Sequence, residues 1–181
     1  MKIPRILRPV LAVIASALAA GAASVEIVRD HYGVPHIFGA TLADALYGQG
    51  YCHAQDNLPL VLSGICAARG ESSLNGEERR GSAVESDFSV RIFHLSEIAL
   101  RNYESLPSQD RRLLDAYALG VEKFLADHPA KRPAWLGRIS GADIIAVTKL
   151  RQMQQSLEWR RTICPARRRG AASVSWPWRW T

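Results

Sequence analysis

Residues 25–60, VEIVRDHYGVPHIFGATLADALYGQGYCHAQDNLPL, decide how this chain folds. The first five of them alternate between two faces, which is typical of a strand. Gly33 can adopt a positive φ, and Pro35 holds the residue before it in an extended conformation. Ile37 and Phe38 then continue as a second short strand, so we expect a β-hairpin here.

A long helix is predicted to follow the hairpin. Thr41 is a favourable N-cap, and Asp44 three residues later completes a capping-box pattern. Gly48 and Gly50 lie inside this helix, where each glycine costs about 1 kcal/mol relative to alanine. We therefore expect the helix backbone to pack closely against a neighbour at these positions.

Pro59 predicts a kink in the same helix. Proline lacks the amide that would donate to the Gln55 carbonyl, so the kink is expected near Leu58. Beyond the helix, residues 70–86 (GESSLNGEERRGSAVES) are polar and contain three glycines, which predicts a surface loop.

Three further helices are expected downstream. In the second helix, apolar residues spaced at i, i+4, i+7 and i+11 are predicted to share one face: Phe88, Ile92, Leu95 and Ala99. The third begins near Pro107, ends around His128 and presents one apolar face: Leu113, Tyr117, Val121 and Phe124 or Leu125. The fourth is predicted to be capped by Ser140 with Asp143 and to end near Leu157. Residues 131–139 (KRPAWLGRI) form a linker expected to hold Trp135 and Leu136 on the core. The predicted fold is mainly α with a short N-terminal β-hairpin.

The first 23 residues have the pattern of a signal peptide. Three basic residues precede an apolar run over residues 9–20, and small residues follow at positions 20–23. The run is shorter than the roughly 20 residues that span a bilayer. We expect a secreted or periplasmic protein without a stable membrane anchor, and an uncleaved N-terminal anchor is the alternative.

The net charge of +6 belongs to the two ends of the chain. Without the seven basic residues of these ends, 16 basic residues face 17 acidic ones; the seven are Lys2, Arg5, Arg8, Arg167, Arg168, Arg169 and Arg179. This balance gives little support to a nucleic-acid partner.

The sequence changes character from residue 160. Residues 160–181 lack acidic residues and a hydrophobic period, and three of the last six residues are tryptophan. We expect an irregular, basic, Trp-rich tail that results from a frameshift or truncation. A genuine tail that binds nucleic acid or membranes is the alternative. The expected organisation is therefore a signal peptide (1–23), a helical region (24–159) and this tail.

The residues taken alone give no catalytic constellation. Asp30 is expected to accept hydrogen bonds from turn amides, and Asp56 to make a buried polar contact. His31, His36 and His53 are expected to be structural or surface residues, since no acidic partner has fixed ligand spacing. No serine lies in a G-x-S-x-G motif.

The three cysteines predict neither a disulfide within the core nor a metal cluster. On a continuous helix Cys52 and Cys66 would be about 21 Å apart, which is too far for a disulfide. Cys164 lies in the tail, and no two cysteines have metal-ligand spacing. We expect no cofactor and no metal.

Three segments carry a resemblance to a known family: RDHYGVPHIFGAT (29–41), DALYGQGYCHAQDN (44–57) and LLDAYALGVEKFL (113–125). Together they resemble the N-terminal part of the penicillin acylase (penicillin amidase) family of N-terminal nucleophile hydrolases. The Asn57-Leu58 pair and ARGES at residues 68–72 are more similar to the branch of acyl-homoserine-lactone and aculeacin-type acylases. The residues that match the family pattern are Arg29, Asp30, Gly33, Val34, Pro35, His36, Ile37, Tyr47, Gly48, Gly50, Tyr51, Ala54, Gln55 and Asp56.

The resemblance implies an exported precursor that is cut into α and β chains of an αββα fold. Its intact members hydrolyse the linear amide bond between an acyl chain and an amine. The nucleophile is a serine at the new N-terminus of the β chain, and its own α-amino group acts as the base. That serine opens a Gly-Ser-Asn motif, which this chain lacks.

We therefore expect an incomplete α-chain portion that has no catalytic residue and is inactive alone. The family-pattern residues are expected to pack the α chain around the β chain and to shape the acyl pocket. The implied partners are the β chain of the same precursor and an acyl-amide small molecule, and a calcium ion in the intact enzyme is left open. The alternative is a small exported helical protein with a binding or scaffolding role.

Overall fold

The computed structural model describes residues 25–74 and 83–163, with side chains through residue 156. The predicted signal peptide and residues 164–181 of the predicted tail, Cys164 included, lie outside the described residues. In the described part, one hairpin precedes five α-helices: β1 (Glu26–Arg29), β2 (Pro35–Phe38), α1 (Leu42–Arg69), α2 (Ala83–Ile92), α3 (Leu95–Ser105), α4 (Ser108–Asp127) and α5 (Gly141–Ile163). Short 3₁₀ turns follow α1 and α4, at Ser72–Leu74 and Pro129–Lys131. The predicted class, mainly α with an N-terminal hairpin, is confirmed.

The two strands are antiparallel, with Ile27 opposite Ile37. Gly33 has φ 80° in the connecting turn, where its N–H donates to the Asp30 carbonyl at 2.9 Å. Ile27 and Ile37 are half-buried, whereas Val28 and Phe38 on the other face are exposed. The hairpin therefore uses one face to pack on α1.

Local sequence signals set the start and the kink of α1. The Thr41 side chain accepts the Asp44 amide at 3.2 Å, and the Thr41 amide donates to the Asp44 carboxylate at 2.9 Å, which completes the predicted capping box. Asn57 leaves the helical region at φ −152°, ψ 60°, two residues before Pro59. The predicted kink is thus confirmed, one residue earlier than expected.

Glycines bring the backbones of α1 and α4 into contact. A Cβ atom on Gly50 would lie 2.1 Å from the Tyr117 carbonyl oxygen. On Gly120 it would lie 2.0 Å from the Tyr47 carbonyl oxygen. We call this pair, Gly50 and Gly120, the glycine contact. The close packing expected at the helix glycines is confirmed.

Two groups of buried side chains form the core. The first joins α1, α4 and the segment before α5: Ala54, Leu62, Ile65, Ala118, Val121, Phe124, Leu125, Leu136 and Ile139. The second joins the end of α1 with α2, α3 and α5: Ala68, Val90, Leu95, Ala99, Ala146 and Leu150. No helix in the described part of the chain has the length and apolarity needed to cross a membrane.

The prediction of one continuous second helix is wrong. The chain breaks between α2 and α3, where His94 adopts a left-handed φ of 50°. Leu95 and Ala99 are buried as expected, but Phe88 is 63% exposed and Ile92 is 53% exposed. The four residues therefore do not share a buried face.

Contacts with the end of α1 explain this break. Arg91 donates to the Gly70 carbonyl at 3.1 Å, and Ser96 donates to the Ala68 carbonyl at 3.0 Å. Side chains five residues apart on a straight helix point about 140° apart, so a straight helix would direct these two side chains to different sides. The turn at His94 aims both of them at the same end of α1.

Three other predictions, on the linker, the loop and the last helix, need correction. Leu136 is buried, but Trp135 is 40% exposed, because the turn closed by the Leu136 amide and the Pro133 carbonyl directs adjacent side chains apart. Residues 70–86 are not all loop, since Ser72–Leu74 is a 3₁₀ turn and α2 already begins at Ala83. The last helix begins after Ser140 as predicted but runs to Ile163, past its expected end and into the predicted tail.

Candidate functional site

The family-pattern residues lie on two packed elements, the hairpin and the first half of α1. We call this region the hairpin–helix junction. The hairpin contributes Arg29, Asp30, Gly33, Val34, Pro35, His36 and Ile37, and α1 contributes Tyr47, Gly48, Gly50, Tyr51, Ala54, Gln55 and Asp56.

Arg29 is the main polar link across the junction. Its guanidinium donates to the Gly33 carbonyl at 2.8 Å, to Gln55 Oε1 at 2.8 Å and to Asp56 Oδ1 at 2.6 Å. The buried polar contact expected for Asp56 is wrong, since its side chain is 47% exposed. Asp56 immediately precedes the kink at Asn57, and there it meets Arg29 at the surface.

Asp30 holds the hairpin turn. Its Oδ1 accepts the amides of Tyr32 and Val34, both at 2.9 Å, as the sequence predicts. The second oxygen, Oδ2, lies 3.4 Å from His36 Nε2. The hydrogen bond from Val34, with those from His36 and Tyr32, holds the pKa of Asp30 below its ordinary value. The group is therefore a carboxylate that the turn amides hold in place.

The small and cyclic residues of the junction have conformational or packing roles. Gly33 has open space around it, so its left-handed φ, and not crowding, is what favours glycine there. Pro35 begins β2 opposite Arg29. A Cβ on Gly48 would lie 2.5 Å from the Ile37 side chain, so this glycine lets the hairpin approach α1.

Tyr51 joins the junction to the core. Its ring meets Phe124 edge to face, with centroids 5.5 Å apart. Burial, together with the Asp127 carboxylate, raises the pKa of Tyr51, so its phenol stays protonated at neutral pH.

The three histidines near the junction contact different partners. His31 lies against the Tyr32 ring at 3.6 Å between centroids, His36 faces Asp30, and His53 Nδ1 is 2.7 Å from the Tyr117 hydroxyl. Within residues 25–74 and 83–163, no group of three or more His, Cys, Asp or Glu side chains is placed to hold a metal ion.

The junction does not present a reactive nucleophile. Cys52 and Cys66 are buried, and burial raises the pKa of the Cys52 thiol. A protonated, buried thiol is a poor nucleophile. Asp30 and Asp56 are occupied by turn amides and by Arg29. The arrangement is suited to fixing the hairpin on α1, not to moving a proton or attacking a carbonyl.

Sequence reasoning missed the partner of Gly50. Gly120 lies inside the apolar helical run LLDAYALGVEKFL, where a glycine costs helix stability. That cost is the signal that could have identified it. The contact itself joins residues far apart in sequence, so it could not be read from either segment alone.

Two half-buried ion pairs were also missed. Arg69 donates to Asp143 through Nε at 2.7 Å and Nη2 at 2.9 Å, and to the Arg138 carbonyl at 2.8 Å. Glu122 binds Arg132 at 2.7 Å and accepts the Ile139 amide at 2.7 Å. Both pairs fasten the segment before α5 onto the helices, and neither leaves a free catalytic group.

Comparison with solved structures shows the same architecture in a penicillin acylase. The chain matches the structure of the thermostable penicillin G acylase from Alcaligenes faecalis with a TM-score of 0.59 and 21% identity. The match covers 85% of this chain and 97% of the matched chain. At this identity the likeness establishes the fold.

Sequence comparison identifies relatives among bacterial acylases. The chain is 31% identical over 139 residues to the acyl-homoserine lactone acylase PvdQ of Pseudomonas savastanoi pv. phaseolicola (strain 1448A / Race 6), covering 71% of this chain and 18% of the relative. It is 35% identical over 104 residues to the penicillin acylase 2 proenzyme of Pseudomonas sp. (strain SE83), covering 58% of this chain and 13% of the relative. The chain thus spans less than a fifth of the length of these two relatives. The family model of penicillin amidase matches residues 24–176. The chain belongs to the penicillin amidase family.

Proposed function

We propose that this chain is the α-chain part of a secreted acylase that hydrolyses the linear amide bond between an acyl chain and an amine. The main support for this function is the family match over residues 24–176. Two relatives are named for acyl-homoserine lactones and for penicillin, and both are named as acylases. Since the chain spans only 13–18% of these relatives, the activity of a whole enzyme is part of the proposal.

In the proposed reaction the nucleophile comes from the β chain. The hydroxyl of its N-terminal serine attacks the amide carbonyl, and its α-amino group takes the proton and passes it to the leaving amine. Water then releases the carboxylic acid from the acyl-serine. The carboxylates and the Cys52 thiol of the hairpin–helix junction are engaged or protonated, which supports a positioning role for this chain.

We propose three further properties of this chain. Residues 1–23 direct export to the periplasm and are removed. The mature chain binds a β chain, which completes the active site. Without that partner the chain has no acylase activity.

Reconstitution with a β chain tests the function. Residues 24–181 and the β chain of the Pseudomonas sp. (strain SE83) acylase are produced separately and together, then given a penicillin and an acyl-homoserine lactone. We expect free amine, measured with an amine-reactive fluorophore, only from the mixture. A β chain with its N-terminal serine changed to alanine is the control and should give none. Amine release by this chain alone, or absence of a complex between the two chains, contradicts the proposal.

A second candidate, the exported binding or scaffolding protein, is favoured by one observation. Several large apolar side chains of the described residues are exposed, among them Phe38, Leu60, Phe88 and Phe93. Such surfaces suit any protein partner. A stable, soluble chain that fails to bind the β chain in the same experiment favours this candidate.

A further inference from the structure

Helix α2 presents a row of apolar side chains to solvent. Val84 is 64% exposed, Phe88 is 63% exposed and Ile92 is 53% exposed. Their spacing of four residues places them on one face of the helix, over about 12 Å. We call these three residues the α2 stripe. Phe93, 53% exposed, extends it at the corner before α3.

The opposite side of α2 fixes the direction in which the stripe points. Asp87 is only 5% exposed, and its carboxylate accepts the amides of Ser72 and Ser73 at 2.8 Å each. Val90 is 1% exposed in the second core group. Arg91 is bonded to the Gly70 carbonyl. Because these contacts would all be lost if α2 turned about its axis, the helix cannot roll the stripe into the core.

The break at His94 has the same effect. A non-glycine residue at φ 50° carries backbone strain, which persists only where the surrounding structure requires it. A straight helix would have placed Phe88 and Ile92 on the face of Leu95 and Ala99, which is buried. The strained turn therefore places Phe88 and Ile92 at the surface and not in the core.

The family relationship indicates what covers this surface. The matched region makes up 18% of one acylase relative and 13% of another, so more than four fifths of each relative lies outside it. The stripe itself carries no charge, which suits an apolar and not an ionic partner surface. We propose that the α2 stripe is a docking surface for the β chain, an inference that rests on the proposed function.

Binding measurements with substituted stripes test this inference. The probe is the β chain of the Pseudomonas sp. (strain SE83) acylase, and the Kd is measured by surface plasmon resonance. The double variant Phe88→Ser/Ile92→Ser should bind at least about tenfold more weakly than the unmodified chain, as expected for apolar anchors at an interface. The matched control is Leu119→Ser, which removes an apolar side chain of similar exposure from α4. It should change the Kd by less than about twofold.

A second measurement tests whether weaker binding is caused by misfolding of the variant. Phe88 is replaced by the photoreactive p-benzoylphenylalanine, which preserves an aromatic side chain, and the mixture is irradiated. Crosslinks to the β chain from position 88, and none from the same replacement at Leu119, support the inference. The melting temperatures of the free variants should equal that of the unmodified chain.

The outcomes separate the two proposals. Equal binding by the unmodified chain and the double variant overturns the stripe as a docking surface and leaves the proposed function standing. If Leu119→Ser weakens β-chain binding as much as the double variant does, the inference about the α2 stripe is overturned as well. If the unmodified chain does not bind the probe, both proposals fail. A concentration-dependent dimer that the double variant abolishes, without β-chain binding, assigns the stripe to a second copy and overturns the inference.

Discussion

Two glycines set how closely α1 and α4 approach. At the glycine contact, the space that a Cβ would need on either helix is occupied by a backbone carbonyl of the other. A carbonyl cannot move aside as the end of a flexible side chain can. The helices would have to separate to admit even a methyl group, and the first core group lies between them.

Gly50→Ala should therefore destabilise the protein. We expect the free energy of unfolding to fall by about 2–3 kcal/mol, the range for an overpacked core. Gly64→Ala in the same helix is the matched control, because its Cβ would meet only Val147 at 3.7 Å. It should raise the free energy of unfolding by up to about 1 kcal/mol through helix propensity. Urea denaturation of both variants measures the difference, and equal effects would contradict a backbone contact.

Asp143 is a residue whose titration should be visible in the stability. Burial raises the pKa of its carboxyl, but hydrogen bonds and charge from Arg69, with hydrogen bonds from Ser140, outweigh burial and hold the pKa below its ordinary value. The unfolded chain, with a carboxyl pKa of about 3.9, therefore takes up the proton first as the pH falls. This stabilisation is complete above the unfolded pKa and is lost as the pH falls through the lower native pKa.

Asp143→Asn should make this pH dependence shallower. At pH 7 the variant leaves Arg69 without its partner and should lose about 3 kcal/mol of unfolding free energy. The difference from the unmodified chain should shrink as the pH falls below about 4, because Asp143 takes up a proton in the unfolded chain first. Urea denaturation across pH 7 to 3 measures it. Glu104→Gln, an exposed change on α3, should stay within about 0.5 kcal/mol at every pH, and a constant difference for Asp143→Asn would refute the linkage.

At the scale of elements, the hairpin depends on α1 for its stability. An isolated two-stranded hairpin is marginal in water. This one gains a packed face through Ile37 over Gly48 and a polar link through Arg29. Its other face is exposed, so its local stability should respond strongly to the Arg29 link.

Arg29→Met should loosen the hairpin while leaving the helices intact. The variant loses the bonds to Gly33, Gln55 and Asp56, and we expect amide hydrogen exchange in β1 and β2 to accelerate about tenfold, equivalent to about 1.4 kcal/mol. Exchange in the buried part of α4 should not change. Arg112→Met, an exposed change on α4, is the control, and equal acceleration in both variants would count against the link.

The corner between α2 and α3 carries strain that glycine would relieve. L-residues pay about 1–2 kcal/mol in the left-handed region, whereas glycine does not. His94→Gly should therefore raise the free energy of unfolding by up to about 1 kcal/mol, after the entropy that glycine adds to the unfolded chain. His94→Ile, a β-branched residue at the same φ, should lower it by about 1–2 kcal/mol. Thermal denaturation of the two variants measures these changes in stability. If His94→Ile were more stable than the unmodified chain, residue 94 would not be held at this φ.

At the scale of the molecule, the exposed apolar surface predicts stabilisation by a partner. If a β chain binds only the folded chain, its presence at about 100 times Kd should add about 2.7 kcal/mol of stability. The melting temperature of this chain should then rise with the concentration of the β chain. The double variant Phe88→Ser/Ile92→Ser should shift less at equal concentration, and a shift independent of concentration would speak against binding.

Sequence reasoning succeeded where the cause is local. The Thr41 cap, the kink before Pro59, the turn bonds of Asp30 and the hairpin at Gly33 each depend on residues a few positions apart. It failed where the cause is a distant contact. The break at His94 follows from bonds to Gly70 and Ala68, more than 20 residues upstream.

The same distinction applies to the candidate site. The resemblance selected residues that the structure places on two packed elements, yet it could not show that Asp56 is at the surface. That position depends on the pairing of Asp56 with Arg29, 27 residues away. The resemblance also could not identify Gly120, because its close approach to the Tyr47 carbonyl exists only when α4 is packed against α1.

The glycine contact also has a consequence for how the chain is made. Gly50 and Gly120 are 70 positions apart, so α1 cannot meet its closest neighbour until residue 120 has left the ribosome. Closing so long a loop delays core formation, because the entropy of closure is lost before the contact is gained. During synthesis the first half of the molecule therefore remains open until α4 has emerged from the ribosome.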